Sequence, residues 1–89
     1  MKSIPELHAA FARNVLNDAM LESWASDLGV SIESLRSLGV GVYPYTGAIT
    51  FPERNAKGEV IGISQRSRDG KKFMIKGSKR GLIYQFTNN

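Results

Sequence analysis

The stretch Ala48-Ile49-Thr50-Phe51-Pro52-Glu53-Arg54-Asn55-Ala56-Lys57-Gly58-Glu59-Val60-Ile61-Gly62-Ile63-Ser64-Gln65-Arg66-Ser67-Arg68-Asp69-Gly70-Lys71-Lys72-Phe73-Met74-Ile75-Lys76-Gly77 decides the fold. Its apolar residues recur with a period of two, the repeat of a half-buried strand. Two breaks interrupt it, Ala56-Lys57-Gly58 and Arg68-Asp69-Gly70, each with glycine third. A three-residue hairpin loop commonly ends in left-handed backbone, where glycine carries no Cβ penalty. The pattern predicts strands over 48–55, 59–67 and 71–77, joined by two hairpins, with a further short strand over 82–86.

Loops of three residues fix the pairing. Phe51 is expected opposite Ile63 and Glu53 opposite Ile61; in the second hairpin Arg66 is expected opposite Lys72, Gln65 opposite Phe73 and Ser64 opposite Met74. Directly opposed residues point to the same side of a sheet. One side then collects Ile49, Phe51, Ile61, Ile63, Phe73 and Ile75, the expected core side. The other collects Thr50, Pro52, Arg54, Gly62, Ser64, Arg66, Lys72, Met74 and Lys76. On this register every cation within the strand cores falls on the second side, and Met74 is its only large apolar member.

Upstream, the period changes to that of a helix. Ser3-Ile4-Pro5-Glu6 has the form of a capping box with proline at an early helical position. Ile4, Leu7, Phe11 and Val15 follow at helical spacing, with Leu16 and Met20 widening the stripe. A second helix is expected from about Leu21 to Leu28, with Trp24 and Leu28 on one face and Gly29 as its stop. Ser31 opens a third, Ile32 to Leu38, closed by Gly39. As a helix-turn-helix the pair is poorly equipped: Ser31–Ser37 offers one arginine and one glutamate for reading a groove. His8 is expected at the boundary of the first helix. The fold class is therefore α+β, one domain over 1–89: N-terminal helices (1–45) packed on one face of a three- to four-stranded antiparallel sheet (46–89).

Charge is divided the same way. Residues 1–45 carry three cations and five acids, a net of −2, whereas residues 46–89 carry nine cations and three acids, a net of +6. Such segregation points to a polyanionic partner for the second half. Arg66 and Lys72, like charges directly across a strand pair, repel each other unless a polyanion lies over them. Phosphate contact is the usual employment of such a cluster. The segment Lys76-Gly77-Ser78-Lys79-Arg80-Gly81 is basic and glycine-bracketed, and its backbone N–H groups are candidates to cradle a phosphate. The nucleic-acid-binding candidates are Arg54, Arg66, Lys72, Lys76, Lys79 and Arg80.

Several classes are excluded or disfavoured. The 89 residues hold no cysteine and one histidine, so disulfides and Cys-ligated metal centres are ruled out and a His-rich site cannot be built. No apolar run approaches the ~20 residues that span a bilayer, nothing near Met1 resembles a secretory signal, and the chain is expected to be cytoplasmic. No nucleophile–base pair is evident, and no activity is expected of the chain alone. A second reading remains: a protein-interaction module whose acidic helical half, with Trp24 exposed, docks on a helicase or a separate catalytic domain.

The order Phe51-Pro52-Glu53-Arg54, Gly58-Glu59-Val60-Ile61-Gly62, Gln65-Arg66, Lys72-Phe73, Lys76-Gly77-Ser78 and Gly81-Leu82-Ile83-Tyr84 resembles bacterial-type DNA primases and their phage and plasmid primase-helicase relatives. The stretch Leu28–Leu35 is similar to one that often lies upstream in those relatives, and the likeness covers roughly residues 24–86. It implies the small subdomain in front of a Toprim catalytic domain, lining a basic groove for single-stranded template, primer or nucleotide phosphates. Arg54 resembles the arginine of the family's FP-x-R element, Arg66 the arginine closing its second strand, and Lys72 the lysine beginning the next. Ala48 stands where cellular primases carry an arginine, which the expected register sets beside Arg66, and Gly77-Ser78 replaces an asparagine-serine. No Asp-x-Asp pair and no zinc ribbon is present. The resemblance therefore implies that the divalent metal, such as Mg, belongs to a Toprim domain outside this chain, and that no cofactor is held here. The expected chain is an excised domain or free-standing module, its partners single-stranded DNA or an RNA/DNA primer–template and possibly a helicase or Toprim domain.

Overall fold

A computed structural model describes residues 2–15 and 18–81. The element order is α1 (Ile4–Arg13), α2 (Asp18–Leu28), α3 (Ile32–Leu38), β1 (Gly41–Val42), β2 (Ile49–Arg54), β3 (Val60–Arg66) and β4 (Lys72–Met74). The strands form one antiparallel sheet in the order β1-β2-β3-β4. This is the α+β architecture expected, with the helices N-terminal to the sheet. No helix among the described residues is long and apolar enough to cross a membrane. The strand expected over 82–86 lies outside the described residues.

The helix starts follow their caps. Ser3 Oγ accepts from the Glu6 N–H at 3.3 Å while the Ser3 N–H donates to Glu6 Oε1 at 2.9 Å, a reciprocal capping box. Ser31 Oγ accepts from the Ser34 N–H at 3.1 Å and opens α3. The first helix is shorter than its apolar stripe suggests. It stops at Arg13, with Asn14 as C-cap. Asn14 Nδ2 donates to the Val42 carbonyl at 2.9 Å, so the chain leaves the helix where an amide is needed by β1. Val15 then packs with the next helices rather than extending the first.

Both hairpin loops have three residues. Asn55 and Ser67 donate to the carbonyls of Glu59 and Lys71, and Gly58 and Gly70 sit at φ 84° and 88°, the left-handed positions the turns require. The second hairpin keeps the expected register: Ser64 opposite Met74, Gln65 opposite Phe73, Arg66 opposite Lys72. The first does not. Arg54 pairs with Val60 as the loop dictates, but Glu53 then pairs with Gly62, leaving Ile61 as an extra residue. This β-bulge shifts all pairs beyond it by one: Phe51 lies opposite Ser64, Pro52 opposite Ile63 and Ile49 opposite Arg66.

A one-residue shift exchanges sides for the partner strand. Thr50, Pro52 and Ile63 form a buried surface towards α1, where Pro52 and His8 approach each other around Gly39. Ile49 and Phe51 point the other way, into a cluster with Leu21, Trp24, Ala25, Leu35 and Val40 from α2, α3 and the turn after them. The helices thus cover both sides of the sheet, α1 one side and α2–α3 one end of the other, in place of the single covered face expected. Leu35, 1% exposed, is the pin of the second cluster; truncating such a residue to alanine costs about 2–5 kcal/mol.

Candidate functional site

On the side facing away from α1, alternation along the strands produces three cross-strand rows. The first is Ile49–Arg66–Lys72, the second Phe51–Ser64–Met74 and the third Glu53–Gly62. Ile49 is sealed beneath α2 and α3, which leaves Arg66 and Lys72 as the outward members of the first row. Phe51, Ser64 and Met74 make a floor of intermediate burial, and Glu53 is 2% exposed.

The segment after β4 closes the far end. Ile75 and Lys79 donate their N–H groups to the carbonyls of Ile63 and Ile61 at 2.8 and 2.9 Å. Ser78 Oγ takes the Ile63 N–H at 2.9 Å. The chain then crosses Gly62 so closely that a Cβ there would lie 2.0 Å from the Lys79 carbonyl oxygen, which is why only glycine fits the third row. Glu53 Oε1 accepts from the Gly81 N–H at 2.8 Å, and Arg80 Nε stands 3.6 Å from the same oxygen. These bonds satisfy a carboxylate whose burial would otherwise be costly. They also bring Arg80 over Met74, with a guanidinium nitrogen 3.9 Å from its sulfur.

The result is a groove of about 320 Å³, floored by Phe51, Ser64 and Met74 and bordered by Arg66, Lys72 and Arg80, with Glu53 at one end. Gln65 and Phe73, which alternate to the other side of the sheet, also line it; Phe73 is 52% exposed. Arg66 and Lys72 face each other across β3 and β4, and among the described residues no carboxylate forms an ion pair with either.

Of the six expected site residues, the structure brings three into this groove: Arg66, Lys72 and Arg80. Lys76 and Lys79 are exposed on the segment leaving β4, outside the groove lining. Arg54 is the correction. The bulge at Ile61 separates it from Arg66, and its guanidinium points to the α1 side, donating to the Gly58 carbonyl at 3.0 Å and approaching Gly39 and His8. There it helps depress the pKa of His8, which burial lowers first and the Arg54 charge lowers further. Ala48 is buried rather than beside Arg66 on an open face. Within the segment expected to cradle a phosphate, Lys76–Gly81, the N–H groups of Ser78, Lys79 and Gly81 are spent on Ile75, Ile61 and Glu53.

Sequence reasoning missed Phe51, assigned to the core side, and Glu53, set opposite Ile61 and given no role. Glu53 was the available signal: an acid within a strand, opposite an isoleucine on the assumed core side, marks a register that needs revision. Trp24 is 4% exposed, with the Arg68 guanidinium 3.8 Å from its ring centre, so it cannot lead a docking surface. Tyr45 is 84% exposed and meets Tyr43 edge-on. No family, curated protein or solved structure matches the chain.

Proposed function

We propose that the chain is a nucleic-acid-binding subdomain of a DNA primase or primase-helicase, holding single-stranded template or primer phosphates in replication. The observation that carries the binding is the pairing of Arg66 with Lys72 at the border of an apolar groove, without a carboxylate between them. Two adjacent uncompensated cations repel, and phosphate oxygens relieve that repulsion with charge-assisted hydrogen bonds. Arg80 supplies a third cation from the opposite border, and exposed Lys76 and Lys79 extend the positive surface along the departing chain. Phe51, Met74 and exposed Phe73 add what a phosphate site alone does not need, apolar surface for unstacked bases. That combination favours single strands, whose bases are free to leave the stack.

The primase assignment rests on the order of the motifs from Phe51-Pro52-Glu53-Arg54 to Gly81. In that setting a separate Toprim domain supplies the metal and the chemistry, and this subdomain supplies grip.

The test is a titration of labelled single-stranded DNA at two salt concentrations with the unaltered chain and with Arg66→Ala/Lys72→Ala. Loss of two phosphate contacts should lower the salt slope by about 1.4 on the single-strand relation, alongside weaker binding. Unchanged affinity and slope in a folded double variant would overturn the reading.

A further inference from the structure

The β4 strand is an outer strand of the sheet, and its backbone is only half used. In an antiparallel pair, residues alternate between exchanging hydrogen bonds with the neighbouring strand and turning their N–H and C=O groups away from it. The Ser67 N–H donates to the Lys71 carbonyl, and the Ile75 N–H donates to the Ile63 carbonyl. By that alternation Phe73 spends its groups on Gln65, whereas Lys72 and Met74 turn theirs outward. Among the described residues nothing bonds to these outward groups. Phe73 stands between them, 52% exposed, its side chain on the opposite side of the sheet from theirs. Lys71, Lys72 and Lys76 flank it and are all exposed. Asp69, 3.9 Å from Lys71, is the one carboxylate paired with any of them among the described residues. Gly81 lies against the Arg54 carbonyl, so the end of the described chain sits over β2, two strands in from this edge.

We propose that β4 receives a fifth strand from a partner protein, an extended acidic segment with apolar residues at its centre. The inference is independent of the nucleic-acid reading. Main-chain bonds to Lys72 and Met74 supply the affinity, and the alternating side chains supply the specificity. On an antiparallel added strand, the residue opposite Phe73 falls in a closely spaced, non-bonded pair, where aromatic and β-branched side chains gain most. The positions opposite Lys71, Lys72 and Lys76 favour aspartate or glutamate. Charge decides between partners. A second copy joined edge to edge would bring the lysines of each chain against those of the other, and edge lysines are a common device against such self-pairing. An acidic segment meets the same lysines with opposite charge, and Arg66 stands behind Lys72 on the same side of the sheet.

The experiment follows amide–water exchange by NMR while the unaltered chain is titrated with the capped peptide Glu-Val-Val-Tyr-Glu-Glu, written to lie antiparallel from Lys76 to Lys71. At a peptide concentration about ten times the dissociation constant, exchange at Lys72 and Met74 should slow about tenfold, while Phe73, already bonded to β3, changes little. Protection of alternate residues is the mark of an added strand, and a peptide lying in the groove does not produce it. Replacing each glutamate of the peptide by lysine should weaken binding about tenfold or more. Met74→Pro removes one outward N–H without touching a β3–β4 bond, and should weaken the acidic peptide about tenfold. If that variant does not fold, the alternate protection in the unaltered chain decides alone. Absence of protection at millimolar peptide, shifts confined to the groove residues, or equal binding of the lysine peptide overturns the proposal. Protection of Lys72 and Met74 that grows with protein concentration in the absence of peptide assigns the edge to a second copy. The same protection produced by oligothymidylate assigns it to nucleic acid, and either result overturns the acidic partner. Salt-dependent binding of oligothymidylate without binding of the peptide removes this proposal and leaves the phosphate groove standing.

Discussion

The Arg68 guanidinium lies over the indole of Trp24, 3.8 Å from the ring centre, and ties the β3–β4 loop to α2. The same group pairs with Asp27 and donates to Ser23 Oγ at 2.8 Å. One arginine thus joins the turn of the second hairpin, beside Arg66 and Lys72, to the helical layer.

Arg68→Ala should cost about 1 kcal/mol. The cation–π contact at a half-exposed site contributes about 0.5–1 kcal/mol, and the ion pair with Asp27, open to solvent on both partners, adds little. Denaturant unfolding followed by Trp24 emission measures the loss, with a changed native emission because the ring loses its cover. Arg68→Lys should recover only part, since an ammonium cannot stack its plane on the indole and fork to Ser23 and Asp27 together.

Arg54→Ala separates the observed register from the one expected from the loops. Arg54 turns to the α1 side and bonds the Gly58 carbonyl. The substitution should lower stability by about 1.5–3 kcal/mol, the worth of a hydrogen bond from a charged donor, and leave the single-strand salt slope unchanged. A drop in slope matching that of Arg66→Ala would place Arg54 on the groove side after all.

Gly62→Ala should destabilise by about 1–3 kcal/mol or displace the segment that crosses it, because backbone rather than a yielding side chain stands in the way. Amide hydrogen exchange distinguishes the outcomes. Faster exchange at Lys79 and Gly81, with β3 still protected, reports displacement of the crossing segment.

His8 makes stability pH-dependent. Burial and the nearby Arg54 charge hold its folded pKa below the ordinary 6.5, and its Nδ1 is buried without a hydrogen-bond partner among the described residues. The unfolded chain therefore binds the proton more readily. The contribution is present in full above about pH 6.5 and is lost as pH falls through that value towards the lowered folded pKa. Unfolding curves at pH 7.5 and pH 5 should differ more for the unaltered chain than for His8→Gln; equal differences would dissociate the effect from this residue.

The helices and turns were readable because each depends on a few neighbouring residues. Ser3 and Glu6 declare one cap, Ser31 another, and Gly58 and Gly70 fix the loop lengths. The pairing of Arg66 with Lys72 followed from the second loop alone. What the sequence concealed was the bulge at Ile61, which depends on the chain returning across Gly62 and on the buried carboxylate of Glu53 holding that return. Both are long-range, between residues 18 and 28 positions apart or more, as Lys79 over Ile61 and Gly81 on Glu53 show. Local patterning places Phe51 and Ile63 together; the tertiary contact puts Phe51 in the groove and Ile63 beneath α1.

The supernumerary residue in β3 makes the surface chemistry of this hairpin indifferent to one particular deletion. Removing the codon for Ile61 would let the loop's own pairing run the whole length of the hairpin and leave Glu53 opposite Gly62, Pro52 opposite Ile63 and Phe51 opposite Ser64. Two descendants differing by that single gap would then present the same faces of β2 to their surroundings.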